Sequence, residues 1–170
     1  MVIDLASVGT TPKQLDMKFA RGDINLEDEA RLTSDPTLTG DVFRLGEKIH
    51  LAGTVTADIE VDCTRCLEPV ARHLEVGFED IFVDSKHEKL ADEAEIPVEA
   101  LDEALVTENE IDLADVVREQ VLLALPEQIF CREDCQGLCP ECGENRNLID
   151  CNCGDNQIDP RWAALKDFRS

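Results

Sequence analysis

The chain has 170 residues, of which 16 are basic and 38 acidic, so its formal net charge is −22. The length fits one domain, or one domain with a small appendage. The charge disfavours a sequence-independent nucleic-acid surface, which is usually basic, and favours a basic protein partner; six Phe, one Trp and no Tyr also leave few rings for base stacking.

Several β-strands are predicted in the N-terminal half. Apolar and polar residues alternate over residues 49–61, interrupted only by Ala52, and again over residues 74–78, as in strands with one buried face. The intervening segment 63–69 contains a C-x2-C pair, so we predict a long β-hairpin with this pair at its tip. Shorter apolar patterns predict two or three further strands, at Leu15, Met17 and Phe19 and around Val42 and Leu45.

Residues 84–112 are predicted to form a solvated loop. This segment contains eleven acidic residues and only two lysines, and runs of like charge tend to be unstructured. The functional alternative is an acidic binding tail.

A buried helix is predicted over residues 112–125. Asp112 is a suitable N-cap, with Asp115 three residues later in a position resembling a capping box. Pro126 then ends the helix. The apolar stripe of this helix contains Leu113, Val116, Val117, Val121 and Ala124, widened by Leu122, Leu123 and Leu125.

The expected fold class is α+β. Residues 1–130 would form one antiparallel sheet, strongly curved or partly closed into a barrel, with the buried helix against it. Residues 131–170 would form a cysteine-rich zinc-knuckle module with a short final helix, for which Asp159 and Pro160 are suited to the N-cap and first position. The acidity belongs to the first part, which has 30 acidic and 11 basic residues, against 8 and 5 in the module.

The N-terminal residues show neither the basic region nor the apolar run of a signal peptide. The longest apolar block, Val121 to Leu125, is too short to span a bilayer. We therefore expect a cytoplasmic protein with no membrane partner. In a reducing compartment, eight cysteines favour metal binding over disulfides.

The cysteines predict two zinc sites. C-P-E-C-G at residues 139–143 is a zinc-knuckle pattern, because two thiolates two residues apart can reach one tetrahedral ion. Structural zinc takes four ligands, so we favour a first site of Cys63, Cys66, Cys131 and Cys135 and a second of Cys139, Cys142, Cys151 and Cys153. One alternative groups Cys131 and Cys135 with two later cysteines and leaves Cys63 and Cys66 free. An iron–sulfur cluster, which also takes four cysteines, is the other.

An enzyme is not expected. Closed four-thiolate sites are structural, whereas catalytic zinc keeps an open position. The pair Cys63 and Cys66 is followed by Pro69 and a strand pattern, which disfavours a thioredoxin-like dithiol at a helix N-terminus. His50, His73 and His87 lie outside the cysteine cluster. We found no nucleophile–base pattern and no Gly-rich phosphate loop, and we expect no small-molecule substrate.

Several motifs together resemble the YceD family, whose members are called large ribosomal RNA subunit accumulation proteins. The resemblance runs from about residue 40 to residue 168. It rests on Cys63-Thr64-Arg65-Cys66-Leu67-Glu68-Pro69, Ile111-Asp112-Leu113, Leu123-Ala124-Leu125-Pro126, Cys131-x3-Cys135-Gln136-Gly137-Leu138-Cys139-Pro140-Glu141-Cys142-Gly143, Asn145, Asn147, Cys151-Asn152-Cys153 and Asp159-Pro160-Arg161-Trp162. It implies a bacterial cytosolic protein that helps large-subunit ribosomal RNA reach normal levels, and it implies no catalytic residue.

Two functional hypotheses follow. The first is a non-enzymatic ribosome-assembly factor whose acidic surface binds a basic ribosomal or assembly protein. Its zinc module would face the large-subunit assembly intermediate, with Arg146 and Arg161 as possible phosphate contacts, although the charge disfavours direct RNA binding. The second is a zinc- or redox-sensing protein whose thiolates release metal on oxidation.

Overall fold

The computed structural model describes residues 1–27, 29–84, 103–106, 109–153 and 161. Within these residues, the chain forms eight strands and one α-helix. In chain order they are β1 (Val2–Asp4), β2 (Lys13–Lys18), β3 (Arg31–Leu32), β4 (Thr37–Leu45), β5 (Lys48–Asp62), β6 (Pro69–Asp84), β7 (Glu103–Val106), β8 (Glu110–Asp112) and α1 (Leu113–Leu123).

The central feature is the long hairpin of β5 and β6, which confirms the prediction from the alternating pattern. The two strands pair antiparallel along their whole length, from Lys48 opposite Val83 to Asp62 opposite Pro69. Odd-numbered residues of β5 point to the core, where Leu51 and Val55 are completely buried. Burial of this one face explains the alternation of apolar and polar residues.

The main sheet has six strands in the order β2-β4-β5-β6-β7, with β3 paired to the far end of β5. No pairing among the described strands closes this sheet, so the expected partial barrel is not confirmed. The expectation of a purely antiparallel sheet is wrong at one edge, because β7 runs parallel to residues 81–84 of β6. A second, two-stranded sheet pairs β1 with β8.

The acidic segment is partly ordered, which corrects the prediction of a loop over residues 84–112. Asp84 ends β6, and both β7 and β8 lie within the segment. Apolar Leu105, Val106 and Ile111 are interspersed among the acidic residues, and Val106 and Ile111 are buried. Lys48 forms an ion pair with Glu103 at the start of β7. Residues 85–102 and 107–108 lie outside the described part of the chain.

The helix α1 begins where predicted. The Asp112 carboxylate accepts hydrogen bonds from the Ala114 amide at 2.9 Å and from the Met1 amino group at 3.1 Å. Its buried residues are Leu113, Val116, Val117, Gln120 and Val121.

One detail of the predicted apolar stripe on α1 is wrong. Leu123, the last residue of the helix, is 72% exposed. Gln120 is buried instead, and its side-chain amide donates to both carboxylate oxygens of Asp80 on β6, at 3.3 and 3.4 Å.

Strands β4 and β5 approach closely where Gly40 pairs with Gly53. A Cβ atom on Gly40 would lie 2.2 Å from the Ala52 carbonyl oxygen, so only glycine fits this crossing.

In the described residues, no helix has the length and apolar character needed to cross a membrane. The predicted final helix lies outside the described part of the chain, apart from Arg161. The predicted division at residue 130 is not tested by the fold.

Candidate metal centres

The tip of the hairpin forms a tight turn around the first cysteine pair. The Cys63 amide donates to the Glu68 carbonyl at 2.8 Å, and the Leu67 amide donates to the Cys63 carbonyl at 2.9 Å. Leu67 has a φ angle of +60°, in the left-handed region that non-glycine residues rarely occupy. The turn brings the side chains of Cys63 and Cys66 to the same side.

The second cysteine pair lies in a turn with the same hydrogen bonds. The Cys139 amide donates to the Glu144 carbonyl, and the Gly143 amide donates to the Cys139 carbonyl, both at 2.8 Å. Gly143 has a φ angle of +76°, so it occupies the position that Leu67 holds in the first turn. The two C-x2-C segments therefore share one backbone conformation, although one lies on a hairpin and the other in a loop.

The first pair meets the segment that follows α1. Thr64 holds this segment through three hydrogen bonds to Ile129. The Thr64 amide and hydroxyl donate to the Ile129 carbonyl at 2.8 and 3.0 Å, and the hydroxyl accepts from the Ile129 amide at 2.9 Å. As a result, the Sγ atoms of Cys63 and Cys135 lie 3.9 Å apart, and those of Cys66 and Cys131 lie 3.6 Å apart. Two regions more than 60 residues apart in the sequence thus contribute to one cluster.

The eight thiols divide into two sets of four, within each of which all Sγ atoms lie within 4.8 Å of one another. We call them the hairpin set (Cys63, Cys66, Cys131 and Cys135) and the loop set (Cys139, Cys142, Cys151 and Cys153). This is the division that the sequence analysis favoured. Either set could hold a metal ion, and that they bind one stays a prediction.

The spacing of the sulfurs suits a single tetrahedral ion. A zinc ion bound to four thiolates at about 2.3 Å places neighbouring sulfurs about 3.8 Å apart. The Cys66–Cys131 and Cys63–Cys135 sulfur distances, 3.6 and 3.9 Å, lie on either side of this value. An iron–sulfur cluster has several metal ions and sulfides between its cysteine ligands and so separates them further. The geometry therefore favours a mononuclear site.

Two neighbouring thiols of the hairpin set, Cys63 and Cys66, have pKa values shifted in opposite directions. Burial acts to raise the pKa of Cys63, but hydrogen bonds from the amides of Arg65 and of two other cysteines bring it down to about 6. The Glu68 amide acts to lower the pKa of Cys66, whereas burial and the three neighbouring thiols raise it to about 12. Ionisation of one thiol opposes ionisation of the next, and a bound divalent cation would favour the thiolate form of all four.

The loop set has the same contrast. The amides of Cys142 and Glu141 donate to the Cys139 sulfur and bring its pKa down to about 7. The hydrogen bond with Cys142, together with burial, raises the pKa of Cys153 to about 12. Each set thus has backbone amides directed at more than one of its sulfurs, which is how protein thiolate–metal sites disperse negative charge.

Asn147 joins the two sets. It lies between Cys142 and Cys151 of the loop set, yet its Nδ2 atom donates to the Cys135 sulfur of the hairpin set at 3.3 Å. Its Oδ1 atom accepts from the Gln136 amide at 2.8 Å and from the Arg132 guanidinium at 2.7 Å. The fold of the loop around the second set therefore positions a hydrogen-bond donor at the first set.

Arg65 also ties the two regions together. Its guanidinium donates to the Cys135 carbonyl at 3.1 Å and lies 4.1 Å from the centre of the Phe130 ring, a cation–π contact. Its own carbonyl accepts from the Leu138 amide at 3.0 Å. Arg65 is therefore a structural side chain of the hairpin tip.

Neither Asn147 nor Arg65 was assigned a role from the residues alone. The only sequence feature that points to these two residues is that both belong to the motifs shared with the YceD family. Their contacts depend on the meeting of distant segments, which spacing does not encode.

The other candidate residues have less defined positions. Arg146 and Arg161 both make interactions within the chain, and a role in phosphate contact stays a prediction. His73 pairs with Asp58 at 2.6 Å, and His50 stacks on Phe43 with its ring centre 5.2 Å away. His87 lies outside the described residues.

Comparison with known proteins gives a consistent result. The family model "Large ribosomal RNA subunit accumulation protein YceD" matches residues 51–169. Uncharacterized protein Rv2926c of Mycobacterium tuberculosis is 32% identical over 175 positions, which cover 97% of this chain and 79% of that protein. Uncharacterized protein YlbN of Bacillus subtilis is 27% identical over 83% of this chain and 78% of its own length.

A plant relative has a functional name. Large ribosomal RNA subunit accumulation protein YCED homolog 1, chloroplastic, of Arabidopsis thaliana is 25% identical over 76% of this chain and 47% of its own length. No solved structure matches the chain.

Proposed function

Because the chain belongs to the YceD family, we propose that it is a non-enzymatic factor that supports the accumulation of large-subunit ribosomal RNA and assembly of the large ribosomal subunit. The observation that carries this proposal is the family match over residues 51–169, which includes both cysteine sets. The names of the family and of its plant relatives refer to this accumulation. The reducing cytoplasm is the proposed location, since free thiols persist there.

Zinc is proposed as a structural metal in both cysteine sets. Four thiols around one centre leave no open position for a substrate or an activated water. The hairpin set would hold the segment after α1 to the tip of β5 and β6, and three of its cysteines already belong to the main core. In the loop set, zinc would hold residues 139–153 in one conformation, since this segment has few apolar side chains with which to form a hydrophobic core. Zinc would thus add to the free energy of folding.

A basic ribosomal or assembly protein is the proposed partner. The net charge of −22 would attract such a protein over several ångströms and shield it before it meets RNA. Direct contact of the less acidic cysteine module with RNA is a secondary part of the proposal, in which Arg146 and Arg161 would act together with the loop set.

The proposal is tested by depleting the protein and measuring the ratio of large- to small-subunit ribosomal RNA. We expect a selective fall of the large-subunit RNA, restored by the wild-type chain and not by a Cys63→Ser, Cys139→Ser double variant. An unchanged ratio after depletion would contradict the proposal.

The electrostatic part has its own test. The affinity of the purified protein for its basic partner should fall steeply as salt rises, because screening weakens attraction between exposed charges. Binding that does not depend on salt would exclude the electrostatic mechanism and leave the role in RNA accumulation standing.

A zinc- or redox-sensing function is the second candidate. Its specific support is that Cys131 and Cys142 are exposed, so an oxidant could reach one thiol of each set. Metal retention under mild peroxide separates the two functions. A sensor would release metal reversibly, whereas a structural site would keep it.

A further inference from the structure

One long edge of the main sheet has no strand beside it in the described part of the chain. Strand β6 spans Pro69–Asp84, but β7 pairs only with residues 81–84. Residues 69–80 pair with β5 on one side and with no described strand on the other. About every second residue of such an edge directs its N–H and C=O groups away from the sheet, available to another strand.

The side chains along this edge differ sharply between the two faces. Leu74, Val76 and Phe78 lie on the core face, and all three are only partly buried. Glu75 and Glu79 lie on the opposite face and are exposed, Glu79 to 68%. A strand placed beside residues 74–79 would therefore meet apolar side chains on one face and carboxylates on the other, with Arg72 and Asp80 at the two ends of the apolar stretch.

Part of the usual protection of an edge strand is missing here. Natural edges are blunted by charged side chains, especially lysines, by prolines or by bulges. Strand β6 contains no lysine and no proline after Pro69, and its charged residues on the core face, Arg72 and Asp80, lie on either side of residues 73–79. Its register with β5 is continuous over all 15 pairs, so no bulge interrupts it. At Gly77 an added Cβ would meet nothing within 4 Å, so the face of β6 that carries Glu75 and Glu79 is uncovered between these two residues.

We propose that residues 69–80 of β6 bind an extended basic segment of the protein partner, which adds to the main sheet as a further strand. The proposal rests on the proposed function, because it gives the binding mode of the basic partner proposed there. The segment would alternate lysine or arginine, opposite Glu75 and Glu79, with apolar residues beside Leu74, Val76 and Phe78. Main-chain hydrogen bonds would supply affinity, and the alternation would supply specificity.

The test uses the full chain and a ten-residue peptide of alternating lysine and valine as the probe. Glu75→Lys, Glu79→Lys is expected to weaken peptide binding by roughly tenfold or more, because two cross-strand attractions become repulsions. The matched control is Asp16→Lys, Glu127→Lys, which changes the net charge equally at two exposed sites on β2 and after α1. It should retain most of the affinity.

Two further probes separate an added strand from simple charge attraction. A peptide of the same composition with its lysines in one block should bind more weakly than the alternating peptide. Amide hydrogen exchange of residues 69–80 should slow when the alternating peptide is bound. Equal loss in the edge variant and the control, or no protection of β6, would overturn the proposal.

The same variants distinguish this inference from the proposed function. If the Glu75→Lys, Glu79→Lys chain restores the ratio of large- to small-subunit RNA and binds the basic partner fully, the edge is not the binding site, and the function stands. If depletion leaves the RNA ratio unchanged while the alternating peptide still binds and protects β6, the proposed function fails and the edge remains a binding site.

Discussion

Replacing Asn147 by alanine should weaken metal binding at the hairpin set by about 10- to 100-fold, the range typical for loss of a hydrogen bond to a metal ligand. The Nδ2 atom lies 3.3 Å from the Cys135 sulfur, and this N–H disperses the negative charge of the thiolate. Asn147 lies in sequence between cysteines of the loop set, so its substitution should lower metal affinity at the hairpin set, to which it donates.

The magnitude follows from the contacts of the side chain. Asn147→Ala removes the donor to sulfur, a second bond to Asn145, and the two bonds from Gln136 and Arg132. The bond to the Cys135 thiolate, a charged acceptor, contributes about 1.5–3 kcal/mol, which matches the roughly 1.4–2.8 kcal/mol of a 10- to 100-fold loss of affinity. Asn147→Asp keeps acceptors for Gln136 and Arg132 but adds a negative charge beside the thiolates. It should weaken metal binding more than alanine does, with less loss of folding stability.

The assay is competition with a chelator, resolved by cadmium NMR so that each set gives its own signal. The matched control is Gln128→Ala, an exposed residue three positions before Cys131, which should bind metal as the wild type does. Unchanged affinity at the hairpin set in Asn147→Ala would refute the reasoning. Equal effects of the alanine and aspartate variants would refute its electrostatic part.

Four further substitutions have defined outcomes. Cys63→Ser and Cys139→Ser should each lower the metal content from two ions per chain to one, and a variant that keeps both would show that its set is misassigned. Gly40→Ala should destabilise the fold by at least about 2 kcal/mol in urea denaturation, since its Cβ would overlap the backbone of β5, whereas Gly9→Ala, in open space, should not. Asp112→Ala should cost about 1 kcal/mol near neutral pH through loss of the N-cap. The hydrogen bond from the Ala114 amide lowers the pKa of the Asp112 carboxyl group below its ordinary value of 3.8. The stabilisation by this cap is therefore fully present above pH 3.8 and is lost as the pH falls through the lowered pKa. A stability difference between variant and wild type that persists in strong acid would contradict this.

Local patterns predicted much of the fold. The β5–β6 hairpin was predictable because burial of one face imposes a period of two on residues 49–61. The start of α1 was predictable because Asp112 satisfies free amides at the helix N-terminus. The prediction of a loop over residues 84–112 was wrong because a few apolar residues there belong to a strand that pairs with β6, as Leu105 and Val106 do in β7.

For the candidate metal centres, sequence alone determined that there are eight thiols, that they come in closely spaced pairs, and that at four ligands per ion they are enough for two metal ions. The reason is chemical, since a C-x2-C turn can present two sulfurs to one ion wherever it occurs. Only the tertiary structure decided which pairs meet. Thr64 and Ile129 bring Cys135 to Cys63, and Asn147 reaches from one set to the other, because contacts between distant segments depend on how the whole core packs and not on spacing along the chain.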